Sequence, residues 1–169
     1  MASALQLTAW AGFVGLMAIA AVADWRRLVI PNGVVLGLLL LWPAHFATMP
    51  SATLVVALEA VAAALAVFAC GCLLFSRGLV GGGDVKLFTA AALWAGAGRL
   101  PALLLLTGVL GGALSLLLLT PLGVRVTAAR RDLTQPRPAV AGGVWAAPVP
   151  YGAAIAGAAL TVFLLPARI

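Results

Sequence analysis

Long apolar stretches separated by short turns rich in glycine, proline and charge make up most of this chain. Residues 4–23 hold no charged side chain, and a helix of that length just crosses the ~30 Å hydrocarbon core of a bilayer. Pro31 fits a helix start and opens a second apolar stretch over 33–49, with Pro43 as a kink and His45 near its end, where an interfacial residue is expected. Residues 52–75 form a third stretch, with Glu59 about a third of the way along. A glycine loop over 77–86 leads into a short apolar stretch at 87–98, a turn at 99–101, and a fifth stretch at 102–121. Gly108, Gly111 and Gly112 in that fifth stretch suit close helix packing in lipid. The longest polar segment spans 124–150, where Pro136, Pro138, Pro148 and Pro150 oppose a continuous helix; an interfacial half-helix over 124–134 followed by a loop is expected. A last apolar stretch covers 151–165. The pattern predicts an all-α polytopic membrane protein with about six transmembrane helices in one domain, 1–169.

Composition agrees. Hydrophobic residues are 64% of the chain and charged residues 8%, with a mean hydropathy of +1.20, whereas soluble domains carry about 25% charged residues. The net charge is +6. The arginines sit in the turns without interleaved aromatics, so membrane lipid and not nucleic acid is the expected partner. With the N-terminus outside, Arg26, Arg27, Arg77, Lys86, Arg125, Arg130, Arg131 and Arg137 fall on the cytoplasmic side and only Arg99 and Arg168 on the other; the reverse orientation violates the positive-inside rule. Ala21-Val22-Ala23 resembles a leader-cleavage site, but the basic residues follow the apolar stretch instead of preceding it, so a first membrane helix is expected. Cys70 and Cys72 lie two apart, unsuited to pairing or zinc, and read as small apolar core residues.

The acids carry the chemistry. Only Asp24, Glu59, Asp84 and Asp132 are acidic, and a charge near the centre of a membrane helix costs roughly 2.5–3.5 kcal/mol on insertion scales. The orientation above puts Asp24, ending the first span, and Asp84, opening the fourth, at one depth on the cytoplasmic side. Glu59 starts near the opposite face, and Asp132, after two arginines, reads as a solvated charge. Two neighbouring carboxylates share a proton, so one can activate water while the other protonates a leaving amine. Gly81-Gly82-Gly83 before Asp84 leaves the backbone bare for a close approach, although a glycine turn with a helix-capping Asp has the same composition. Lys86, two residues past Asp84, points elsewhere on a helix and suits snorkelling to the surface. Two other functions fit the acids: a small proton- or cation-coupled transporter, and a non-enzymatic subunit of a pilus or secretion machine.

Two motifs narrow the choice. Asp24-Trp25-Arg26-Arg27-Leu28-Val29-Ile30-Pro31-Asn32 resembles the first-aspartate motif of type IV prepilin peptidases, and Gly81-Gly82-Gly83-Asp84-Val85-Lys86-Leu87 resembles their Gly-x-Gly-Asp motif. Pro150-Tyr151-Gly152 is similar to an element before their last helix. The resemblance implies an aspartic endopeptidase of the bacterial inner membrane, a single integral-membrane peptidase domain over 1–169. It implies cleavage of the basic leader of prepilins and pseudopilins at the cytoplasmic face, typically after a glycine. Asp24 and Asp84 would be the catalytic pair, with Gly81, Gly83, Lys86, Arg26, Pro31 and Asn32 in support and no metal or other cofactor. The paired Cys-x-x-Cys domain of the long, N-methylating forms does not occur in this sequence, and the chain resembles the short form associated with tight-adherence (Flp-type) pili. Ala23 before Asp24 departs from the Tyr-Asp motif of presenilin-type proteases.

Overall fold

The computed structural model describes residues 4–50, 52–121, 123 and 149–164. These form five α-helices: α1 Ala4–Arg27, α2 Asn32–Ala47, α3 Leu54–Ser76, α4 Gly82–Leu119 and α5 Tyr151–Leu164. The helix starts are those that local chemistry favours. Pro31 occupies the N-cap of α2, Thr53 caps α3 by accepting from Val56 N–H at 3.3 Å, and Gly81 is the N-cap of α4. Helices α1, α3 and α4 are each long and apolar enough to cross a membrane, and α2 and α5 are shorter apolar helices. The protein is a multi-pass, all-helical membrane protein. The interfacial half-helix expected at 124–134, and the charges Arg125, Arg130, Arg131, Asp132 and Arg137, lie outside the described residues.

Helix α4 is not one rod. Gly96 has φ 65° and ψ 175°, a conformation that an L side chain adopts only under strain. The first arm, 82–95, carries Trp94 into a cluster with Trp10, His45 and Phe163. The second arm, 97–119, starts beside Phe163, with the Arg99 guanidinium 5.9 Å from that ring, and ends beside the start of α5. There Ser115 Oγ lies 3.2 Å from the Tyr151 hydroxyl, and Gly111 faces the Tyr151 ring. The chain therefore turns back at Gly96. The reversal falls three to five residues before the turn expected at 99–101. Pro101 belongs to the opening turns of the second arm, where a proline is better tolerated than deep in a helix.

The core joins α1, α2, α4 and α5 around the fully buried Phe13, Met17, Leu38, Leu87 and Leu103. Helices α1 and α2 approach through reciprocal knobs: Leu41 fills the space over Gly12, and Leu16 that over Gly37. Helix α3 leans on α4 and buries only Ala60 and Ala64. Its remaining face is exposed and apolar from Leu54 to Phe75, as a lipid-facing helix requires. Cys70 and Cys72 lie on that outer face, as free thiols, and not in the core. Glu59 is also exposed there.

His45 is a second correction. It is 3% exposed, stacked on Trp94 at 4.6 Å and edged by Trp10 and Phe163. Its place in the sequence suggests an interface, but its helical face decides. Val34, Leu38 and His45 are spaced by four and seven residues and form the buried stripe of α2. Trp94 locks the same region by donating from Nε1 to the Leu38 carbonyl at 2.9 Å, five residues before Pro43.

The reversal at Gly96 yields a test. Gly96→Ala should lower stability by about 1–3 kcal/mol, read as a lower unfolding temperature in detergent. Gly98→Ala, where nothing lies within 4 Å of the added carbon and φ is ordinary, should be neutral or slightly stabilising.

Candidate active site

One end of the bundle gathers the end of α1 and the starts of α2, α4 and α5. The buried stripe of α1 runs Ala9, Phe13, Met17, Ala20, Asp24, at steps of four, four, three and four. The last residue of that stripe is an acid, 5% exposed. The helical period that sends Phe13 and Met17 into the core also sends the Asp24 carboxylate inward.

The chain leaves α1 through Leu28, which holds φ 53°, an uncommon conformation for a branched aliphatic residue. Leu28 N–H donates to the Asp24 carbonyl at 2.9 Å, in the manner of a left-handed helix cap. Beyond this turn Ile30 is buried. Carbons added at Gly83 and Gly152 would meet it at 3.4 and 2.9 Å, so Ile30 packs against the starts of both α4 and α5.

Asp84 is the third residue of α4. From that position its carboxylate reaches back to accept the Gly81 backbone N–H, the return half of a capping box. A Cβ on Gly81 would lie 2.9 Å from Asp84 Oδ2, so glycine is needed there for room. The Asp84 carboxyl lies within electrostatic reach of the Asp24 charge. Residues 24 and 84, sixty positions apart, are thus brought together.

The second partner of Asp24 comes from α5. Ala153 N–H donates to Asp24 Oδ2 at 3.3 Å. A Cβ on Gly152 would stand 2.9 Å from both Cγ and Oδ2 of Asp24. Gly152, Ala153 and Ile30 are site residues that the sequence reading did not select. Gly152 had a sequence signal in Pro150-Tyr151-Gly152, but no chemistry of its own to draw attention.

The remaining candidates sit around this pair. Lys86 Nζ donates to Asn32 Oδ1 at 3.2 Å, tying the start of α4 to the start of α2 at the surface. Beyond the surface snorkelling expected of it, Lys86 thus has a specific partner. Arg26 is exposed and borders two open grooves beside the last turns of α1, of about 510 and 460 Å³. Pro31 borders the first groove and Ala153 the second. Gly83 lies against Ile30, and Gly82, the middle glycine, against Phe75 of α3. Among the described residues no three His, Cys, Asp or Glu side chains gather in a way that suits a metal ion.

The fold and the site define a helical membrane protein that brings two carboxylates from separate helices together at one end of its bundle. Residues 11–116 match the type IV leader peptidase family. The match covers more than half of the chain, and the protein belongs to that family; it is a membrane peptidase. No curated protein and no solved structure matches it.

The bond from the start of α5 to Asp24 can be checked by stability. Asn keeps an oxygen that caps a helix, whereas Ala does not. Asp24→Ala should therefore be less stable than Asp24→Asn by about 1 kcal/mol, measured by unfolding of the two variants in the same detergent.

Proposed function

We propose that the protein is an aspartic endopeptidase that removes the basic leader from prepilins and pseudopilins at the cytoplasmic face of the bacterial inner membrane. The observation that carries this reading is the meeting of Asp24 and Asp84 in a member of the leader peptidase family. Two carboxylates this close, one of them buried, do not both ionise without cost, so the pair holds one proton. The ionised member takes a proton from water as the water oxygen attacks the scissile carbonyl. The protonated member gives its proton to the nitrogen as the C–N bond breaks. The products are a carboxyl end on the leader and a free amine on the mature chain.

The surroundings support a substrate that enters from lipid. Both grooves beside α1 are walled by Val22, the first also by Ile19, and both open next to Arg26. An apolar segment of a substrate can lie against them while the polypeptide just ahead of it reaches the acids. Gly81 and Gly83 remove side chains on the approach to Asp84. Lys86 and Asn32 keep the starts of two helices together, a supporting role that requires no contact with substrate. Flp-like prepilins are the substrate class we favour; this choice rests on the motif resemblance alone.

The test is cleavage of a purified Flp-type prepilin by the purified protein in detergent. Asp24→Asn and Asp84→Asn should each reduce leader release by at least about a thousandfold, the scale of an acid–base group combined with loss of the water-activating charge, while both variants still insert in the membrane. Normal processing by either variant would end the proposal. Proton-dependent uptake into liposomes with the prepilin left intact would favour a transporter instead.

A further inference from the structure

Helix α5 lies beyond the residues matched to the family, 11–116, yet its first turn touches the Asp24 carboxylate. Pro150, immediately before α5, is fully buried and has no side-chain oxygen with which to cap the helix. A helix start exposes N–H groups that need acceptors. Ala153 N–H is shared between the Pro150 carbonyl, at 3.2 Å, and Asp24 Oδ2, at 3.3 Å, the latter on a different helix and 129 residues away in sequence. An acid of the proposed catalytic pair therefore contributes in trans to the cap of α5, beside the local Pro150 carbonyl.

From this we infer that the start of α5 is a positioning element for the reaction, with Gly152 and Ala153 as its working residues, and that it makes Asp24 the ionised, water-activating member of the pair. This rests on the aspartic peptidase reading above. Three observations converge on it. The N–H donor and the positive end of the α5 dipole both stabilise negative charge on Oδ2. Gly152 is buried, and any side chain there would collide with Cγ and Oδ2 of Asp24 and with Cδ1 of Ile30, all at 2.9 Å. The backbone donor of Asp84 comes from its own helix cap, at Gly81, and Asp84 sits beside the Asp24 charge. The asymmetry assigns the proton: Asp84 keeps it and delivers it to the leaving nitrogen. Gly152 sets the carboxylate's place through steric room, and Ala153 sets its charge through the N–H.

Three variants of the full-length protein separate these roles from general damage to α5. Gly152→Ala should lower kcat at least tenfold with KM changed little, because the carboxylate moves while the outer grooves do not. Gly157→Ala is the control: it adds the same carbon to the same helix, where it meets only Leu110 Cδ1 at an ordinary 3.5 Å. This control should cleave at the normal rate. Ala153→Pro replaces the N–H, and its bonds to both Oδ2 and the Pro150 carbonyl, with a ring carbon, within the first helical turn, where proline is tolerated. With less support for the ionised form, the acidic limb of the pH–rate profile should move to higher pH by up to about one unit, the scale of one hydrogen bond to a charged group.

Unchanged kcat in Gly152→Ala together with an unmoved acidic limb in Ala153→Pro would overturn the inference. So would equal losses in Gly152→Ala and Gly157→Ala. If Gly152→Ala does not accumulate, the pH profile of Ala153→Pro decides. Asp24→Asn is run alongside. If it is inactive while the α5 variants behave normally, only the inference fails; if it cleaves normally, the peptidase mechanism fails first.

Discussion

A carboxylate that ends the buried stripe of a membrane helix must find donors inside the protein, because lipid offers none. Asp24 is in that position, and much of the bundle's construction follows from it. The left-handed turn at Leu28 returns the chain beneath the acid and tucks Ile30 under two neighbouring helix starts. The start of α5 supplies an N–H, and α4 brings up a second acid whose own donor is local. The starts of α4 and α5 each donate to a carboxylate and leave space for one. Toward the far pole the described interior is packed with aromatic rings around His45.

Gly96 makes the two poles compatible. A helix arm of 82–95 is too short to cross the hydrocarbon core on its own, at ~1.5 Å per residue. By reversing there, the chain anchors Trp94 among Trp10, His45 and Phe163 and sends the second arm back to pack on α5. Asp84 is thus the tip of a strut pinned at its base by a stacked Trp–His pair and an indole hydrogen bond to α2. The positions of the two acids are fixed by separate supports, α5 for one and the aromatic base of α4 for the other.

The order of helices and the coming together of residues 24 and 84 were legible in the sequence, because apolar run lengths and the distribution of arginines are strong signals in a membrane protein. The inward faces were not. In a soluble helix, polar residues mark the outside; here both faces are apolar, so hydrophobicity does not separate the stripe Ala9, Phe13, Met17, Ala20, Asp24 from the lipid side. His45 was misplaced for that reason: its distance from a helix end was visible, and its shared face with Val34 and Leu38 was not. The expectation of core positions for Cys70 and Cys72 fails for the same reason. Gly152 was overlooked because a residue whose role is to be absent leaves no chemical trace; only the atoms of Asp24 around it reveal the requirement.

The lock between an acid on α1 and a bare position on α5 also bears on descent. A methyl group at residue 152 cannot coexist with the present carboxylate rotamer at residue 24, and Ile30 closes the remaining side. Drift at any of these three positions is therefore tied to the other two, although they lie on separate parts of the chain. Lineages that keep the acid at residue 24 should keep residue 152 bare and residue 30 close in shape, and a survey confined to the region 11–116 would record only two of these three positions.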